Sequence, residues 1–262
     1  MPHRTQSSAP LSVLFPEPPE LDADVYGGAF DTAGFAAKTL SHWSNLAAVI
    51  DHTLLKPEAT RIQVENLCDE AVRYRFACAM INPVWAGLAA SLLAGTGVPV
   101  GVVIGFPLGA SLASTLRQEA QALTKLGARE LDMVLSIGQL KSGEHKAVER
   151  TIRGTAEVAH ANGALLKVIL ETCLLTVEEK LRASEIAIQA GADFLKTSTG
   201  FSTHGATVAD VALLRGVAGT RSGVKASGGI RTLVDVKAML EAGANRIGAS
   251  ASVAIVRELG AE

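Results

Sequence analysis

"AGADFLK", residues 190–196, holds a helix end, a turn and a strand within seven positions. Gly191 closes the helical stretch before it, in the left-handed conformation that glycine adopts at little cost. The chain enters an apolar strand three residues later, and Lys196 stands where the apolar residues run out. The arrangement recurs in "LGARELD" (126–132) and "AGANRIG" (242–248), and more loosely in "ANGALLK" (161–167).

Outward from these junctions, short Val- and Ile-rich runs alternate with longer helical stretches. Strands are expected at about 47–51, 76–81, 99–104, 130–135, 165–170, 192–196, 222–226 and 245–248. Helices are expected at about 60–74, 83–94, 112–126, 144–161, 177–190, 207–218, 231–242 and 250–259. Alternation at roughly 30-residue spacing implies parallel strands joined by right-handed crossovers. Strands apolar on both faces imply a sheet covered by helices. Eight such units imply an α/β fold of the closed (β/α)8 TIM-barrel type. An open dinucleotide-binding sheet would carry a G-x-G-x-x-G turn after its first strand, and "VIDHTLLKP" (49–57) has no glycine.

Five of the nine prolines fall in the first 19 residues, and "FPEPPE" (15–20) cannot continue a helix. Residues 1–45 therefore read as an N-terminal extension, flexible to about residue 28 and with a short helix at about 31–43. Residues 46–262 form the barrel domain. The net charge of -2 and the lack of a basic patch argue against a nucleic-acid partner. Residues 76–116 carry no charge, but Gly and Pro cut the run into pieces shorter than the roughly 20 residues of a membrane span. No secretory leader is read at the N-terminus. Three cysteines without metal-ligand spacing fit free thiols in a reducing cytoplasm.

A barrel carries its function at the C-terminal ends of its strands. Charges recur there: Asp51, Asp132, Lys167, Lys196 and Lys225. One isolated charge in a strand is costly to bury and reads equally well as a structural ion pair. Two carboxylates and three ammonium groups converging on one barrel read as chemistry. A lysine near its usual pKa of about 10.4 is protonated and not nucleophilic. Burial and a neighbouring cation lower that value, after which the amine can form a Schiff base with a carbonyl. Lys196 fits the nucleophile, Lys225 the neighbouring cation and Asp132 the proton relay.

The last two strands run into "SGGIRT" (227–232) and "IGASAS" (247–252). Loops in these positions bind phosphate through backbone N–H groups and a helix N-terminus. Gly228, Gly229, Gly248 and Ser250, with Gly200 after the sixth strand, form the expected cradle. None of the six histidines pairs at metal-ligand spacing, so no metal is expected. His52, beside Asp51, either lines the mouth or makes a structural hydrogen bond.

"IDHTLLKPEAT", "GFPLGAS", "LDMVLSIGQLKSG", "LKVILETCLLT", "FLKTSTGF", "VKASGGIRT" and "RIGAS" together resemble the deoxyribose-phosphate aldolases, class I aldolases on a (β/α)8 barrel. The resemblance runs from about residue 46 to 259. It implies reversible cleavage of 2-deoxy-D-ribose 5-phosphate to acetaldehyde and D-glyceraldehyde 3-phosphate, with no cofactor. It implies the Schiff base on Lys196, pKa depression and proton donation by Lys225, and proton relay by Asp132. Gly200, Gly228, Gly229, Gly248 and Ser250 would hold phosphate, Thr199 would meet the sugar, and Asp51 and Lys167 would complete the polar network. A cytoplasmic homodimer is implied as well. The chain departs from the family pattern at Met80, where relatives carry a cysteine, and at Ala251, where they carry a second serine. Phe201 replaces a lysine found in some relatives, and the C-terminal tyrosine of others is missing. Two rival readings remain at this level: a phosphosugar isomerase or synthase, which would not need Lys196, and a non-catalytic phosphosugar-binding barrel.

Overall fold

The structure is a computed structural model describing residues 29–262; the segment expected to be flexible, up to about residue 28, lies outside the described residues. Two short helices come first. α1 (Thr32–Leu40) is capped by Asp31, whose carboxylate accepts the Gly34 N–H at 2.9 Å, and α2 (Trp43–Ala47) is capped by the His42 ring.

Eight strands follow: β1 (Ile50–Leu54), β2 (Cys78–Ile81), β3 (Val100–Ile104), β4 (Ala128–Val134), β5 (Leu165–Ile169), β6 (Phe194–Lys196), β7 (Gly223–Ser227) and β8 (Arg246–Ala249). Each pairs in parallel with the next, and β8 pairs with β1 to close the barrel. The outer ring comprises α3 (Arg61–Tyr74), α4 (Ala86–Leu92), α5 (Ala113–Lys125), α6 (Ile137–Lys141), α7 (His145–Ala161), α8 (Val177–Gln189), α9 (Val208–Ala218), α10 (Leu233–Glu241) and α11 (Ser252–Glu258). The junction glycines Gly127, Gly191 and Gly243 take φ of 106°, 96° and 110°, the positive-φ turns expected of them. No helix among the described residues is long and apolar enough to cross a membrane.

One strand boundary differs in a way that matters. The first strand was expected over 47–51 but occupies Ile50–Leu54, because the apolar Leu46 and Ala47 belong to α2. A short apolar run does not by itself distinguish a strand from a buried helical turn. Asp51 is therefore the second residue of β1 rather than its last, and lies inside the barrel.

Side chains alternate across each strand. On β4, Leu131 and Met133 point outward into the apolar layer shared with the helices, a layer that also holds Ile50, Ile81, Val102, Leu166, Val168, Leu195, Val224 and Ile247. Glu130 and Asp132 occupy the alternate positions and reach lysines of other strands. The hydrophobic burial that stabilises the barrel is thus concentrated outside it. The lumen is apolar only beside β2 and β3, where Cys78, Met80 and Val103 pack with Leu55 and Phe106.

Candidate active site

The lumen holds two tiers of charge. In the upper tier, Asp132 of β4 is surrounded by three lysines. Its Oδ1 accepts from Lys167 Nζ at 2.7 Å, and its Oδ2 accepts from both Lys196 Nζ at 2.8 Å and Lys225 Nζ at 2.7 Å. Strand pairing dictates this convergence, since Asp132 is the register partner of Lys167, and Lys196 that of Lys225. In the lower tier, Asp51 accepts a short hydrogen bond from Lys225 and a second at 2.9 Å from Arg246. Glu130 contacts Lys167 at 2.5 Å and Arg246 at 3.1 Å. Asp51, Asp132, Lys167 and Lys225 are wholly buried, and Lys196 is 3% exposed.

These surroundings sort the groups electrostatically. Burial raises the Asp132 carboxyl, but Lys167, Lys196 and Lys225 overcome it and hold the group well below the usual carboxylate range. Asp51 is likewise brought to about 2, with Lys167, Lys225 and Arg246 outweighing burial. Lys167 is held well above the ordinary lysine value, because Asp132, Asp51 and Glu130 outweigh its burial. Lys196 alone goes the other way. Burial brings its ammonium down to about 8; Asp132 opposes the shift, and Lys225 and Lys167 reinforce it.

Lys196 is also the only one of the five sequence-selected charges that lines the cavity at the barrel mouth, a space of about 380 Å³. Asp51, Lys167, Asp132 and Lys225 do not line it, and of these Asp132 is the one bonded to Lys196. Thr199, Gly200, Gly228, Gly229, Gly248 and Ser250 all line the same space. A larger hollow of about 630 Å³ lies on the outer faces of α5 and α7, remote from the charge cluster.

The cradle differs in detail from the expected one. At the β7 loop, the first donors of α10 are already used. Asp235 accepts the Arg231 and Thr232 N–H groups at 2.9 and 3.0 Å, and Glu258 accepts that of Leu233 at 3.0 Å. This helix terminus is closed to an anion, whereas Gly228 and Gly229 line the cavity. Gly228 has φ 85°, and a Cβ there would lie 2.9 Å from Gly205 Cα, so only glycine fits. At the β8 loop, α11 has no side-chain cap, so its first N–H groups adjoin Ser250 without a competing carboxylate. Ser252 does not replace the missing second serine, because it is buried and its hydroxyl donates to Ala249 O at 2.8 Å. Gly248 has a second role. A Cβ there would lie 3.0 Å from Lys225 Cε, so its bareness makes room for the lysine stem.

Five participants escaped the sequence reading, Glu130 of the lower tier among them. Glu171 is buried at φ 55° and accepts a short hydrogen bond from the Thr199 hydroxyl; its other oxygen accepts the Thr199 N–H at 3.3 Å. Thr199 Oγ1 in turn accepts the Phe201 N–H at 3.0 Å, so Glu171 fixes the whole turn after Lys196. Arg246 completes the lower tier. Lys56 and Arg231, both exposed, line the rim of the cavity. His52 is turned away from the mouth, its Nε2 2.7 Å from Glu70 of α3 and its ring against Phe76. Cys78 lies in the lumen beside Met80, and burial, with Glu130 and Asp51, pushes its thiol well above the usual value. Asp51, Cys78 and Glu130 are close enough together to suggest metal ligands. Lys167, Lys225 and Arg246 already occupy their carboxylate oxygens, and the thiol is held protonated, so this donor set does not suit a cation.

A profile of the DeoC/LacD family of aldolases matches residues 46–258. A deoxyribose-phosphate aldolase of Geobacillus sp. (strain WCH70) is 54% identical over 213 residues, 81% of this chain and 95% of the relative. One from Bacillus subtilis (strain 168) is 55% identical over 213 residues, with the same coverage of 81% and 95%. Among solved structures, a deoxyribose phosphate aldolase of Aeropyrum pernix, described as tetrameric, aligns with a TM-score of 0.81 at 38% identity. That alignment covers 87% of this chain and 96% of that one.

Proposed function

The chain belongs to the DeoC/LacD family of aldolases, and from that premise we propose that it reversibly cleaves 2-deoxy-D-ribose 5-phosphate through a Schiff base on Lys196. The products are acetaldehyde and D-glyceraldehyde 3-phosphate. The observation that carries this reading is the position of Lys196. It is the one cavity-lining member of the charge cluster, its proton affinity is lowered to about 8, and it shares an acceptor with a second ammonium group.

The neutral Lys196 amine attacks C1 of the open-chain sugar, and loss of water leaves a protonated imine. The C3 hydroxyl gives up its proton, the C2–C3 bond breaks, and its electron pair passes into the imine to form an enamine. The three-carbon phosphate leaves at this point. The enamine takes a proton at C2, and hydrolysis of the resulting imine frees acetaldehyde and restores the amine. Asp132, joined to both Lys196 and Lys225, relays the protons, and Lys225 supplies the acid. The phosphate sits against the backbone of Gly200, Gly228 and Gly229, near Ser250 and the uncapped start of α11, with Lys56 and Arg231 at the rim. Thr199 shapes the wall beside the sugar, and Asp51 and Lys167 hold the tiers together from below. Residues 46–262 are the unit to which we assign this activity, in a cytoplasmic homodimer.

Incubation with acetaldehyde and sodium borohydride tests the reading. The expected result is one ethyl group on the Lys196 peptide by mass spectrometry. Protein left unmodified would favour an isomerase, a synthase or a non-catalytic phosphosugar-binding barrel.

A further inference from the structure

We infer that Glu130 and Arg246, in the lower tier of the lumen, set its charge count and through it how readily Lys196 gives up its proton. The inference rests on the Schiff-base reading of Lys196. Neither residue lines the mouth cavity, so both are positioning residues that act through other groups.

The groups in question come from seven strands. They are Asp51 of β1, Cys78 of β2, Glu130 and Asp132 of β4, Lys167 of β5, Lys196 of β6, Lys225 of β7 and Arg246 of β8. β3 faces them with Gly101 and Val103 and contributes no charge. The Cys78 thiol stays neutral. Three carboxylates therefore oppose four cations. With every group charged, the lumen carries one surplus positive charge, and it becomes neutral when a single cation loses its proton.

Geometry selects which cation that is. Lys167 contacts all three carboxylates: Asp51 at 3.4 Å, Glu130 at 2.5 Å and Asp132 at 2.7 Å. Lys225 contacts Asp51 and Asp132, and Arg246 contacts Asp51 and Glu130. Lys196 contacts one oxygen of Asp132, which it shares with Lys225. Buried charge is costly in proportion to what is left unpaired, so the least-paired cation is the one to deprotonate. The directions agree, since Lys196 is lowered while Lys167 and Arg246 are raised by the carboxylates around them. Glu130 and Arg246 are the two members that alter this count without touching Asp132, Lys196 or Lys225, whereas Asp51 contacts Lys225.

Opposite charge changes should therefore move Lys196 in opposite directions. Glu130→Gln leaves a larger positive surplus, so the amine deprotonates more easily and the acid limb of its reactivity moves down by on the order of one pH unit. Arg246→Gln balances the lumen with Lys196 still charged, so the limb moves up by a similar amount and trapping at pH 7 falls about tenfold. The double variant removes one charge of each sign and returns the midpoint close to its original value.

The readout is the pH dependence of ethyl-group trapping on the Lys196 peptide with acetaldehyde and borohydride. Opposed shifts that cancel in the double variant support the inference. Midpoints that stay fixed while yield falls, or that shift the same way, overturn it and leave the pair a purely structural role. No adduct on Lys196 in the unaltered protein overturns the Schiff-base reading itself, and with it this inference. If Arg246→Gln does not fold, Glu130→Gln and Arg246→Lys carry the test. The lysine keeps the charge, so its midpoint should stay in place, and a shift of a full unit there overturns the inference.

Discussion

Lys196 and Lys225 are register partners on adjacent strands, and both ammonium groups donate to the same atom, Asp132 Oδ2, at 2.8 and 2.7 Å. One oxygen cannot hold two like charges at full strength in a site that excludes water. The less supported of the two, Lys196, is lowered to about 8. About a tenth of its molecules are then neutral at pH 7. Protonation removes the nucleophile, so reactivity is lost as pH falls through 8 and levels off above it. Single-turnover trapping with acetaldehyde and borohydride should rise about tenfold from pH 6 to pH 7 and flatten by about pH 9. A profile flat across that range would contradict the assignment.

Lys225→Met keeps the stem beside Gly248 and removes the neighbouring charge. Lys196 should then hold its proton more tightly, because Lys225 is one of the cations that lower it. Turnover at pH 7 should fall by at least about a hundredfold, from both the shift and the lost proton donor. The trapping midpoint should move above pH 8. Trapping at an unchanged midpoint would show that Lys225 does not tune the amine.

Lys196→Arg preserves the positive charge on Asp132 but cannot form an imine, because a guanidinium stays protonated. Turnover should fall at least about 10⁴-fold, the scale on which removing a covalent nucleophile leaves only binding and electrostatics. Retained turnover in this variant, measured as aldehyde release from deoxyribose 5-phosphate, would point to a different nucleophile.

Glu171→Gln tests the support of the phosphate turn. The carboxylate takes both the hydroxyl and the N–H of Thr199. The amide replaces one acceptor oxygen with a donor, at a cost of about 1–2 kcal/mol. KM for a phosphorylated substrate should rise about tenfold, with kcat changed less and adduct formation with acetaldehyde preserved. Loss of the acetaldehyde adduct would mean that Glu171 supports Lys196 rather than the turn.

Treatment with EDTA should leave the rate unchanged. Loss of activity that added zinc restores would mean that Asp51, Cys78 and Glu130 hold a metal after all.

The barrel was legible because each βα unit repeats one piece of backbone logic, a helix closed by glycine followed by a strand, at Gly127, Gly191 and Gly243. The upper tier was legible because a lysine or aspartate in an apolar strand stands out against its neighbours. The lower tier was half legible. Glu130 lies two residues before Asp132 and so on the same face, but neither it nor Arg246 was singled out. The partners of Arg246 lie 195 and 116 residues away in sequence, and only barrel closure brings them together. Glu171 was hidden for another reason. Its importance depends on a positive φ of 55°, unusual for a residue with a side chain, and nothing in "ILETC" announces that conformation. The closed end of α10 was also unread: Asp235 takes two of its N–H groups, and Glu258, which takes a third, arrives from α11.

The lumen is lopsided. Ionisable groups that hold charge come from β1 and β4 through β8, whereas β2 and β3 offer sulfur, hydrocarbon and bare backbone, with Gly101 so crowded that a Cβ would lie 2.4 Å from Cys78 Sγ. This separates two kinds of evolutionary freedom. Substitutions at Met80, Val103 or Phe106 can repack that arc, and with it Leu55 of the cavity wall, while the proton inventory stays untouched. The same number of changes on the opposite arc would dismantle the reaction before any new preference could emerge.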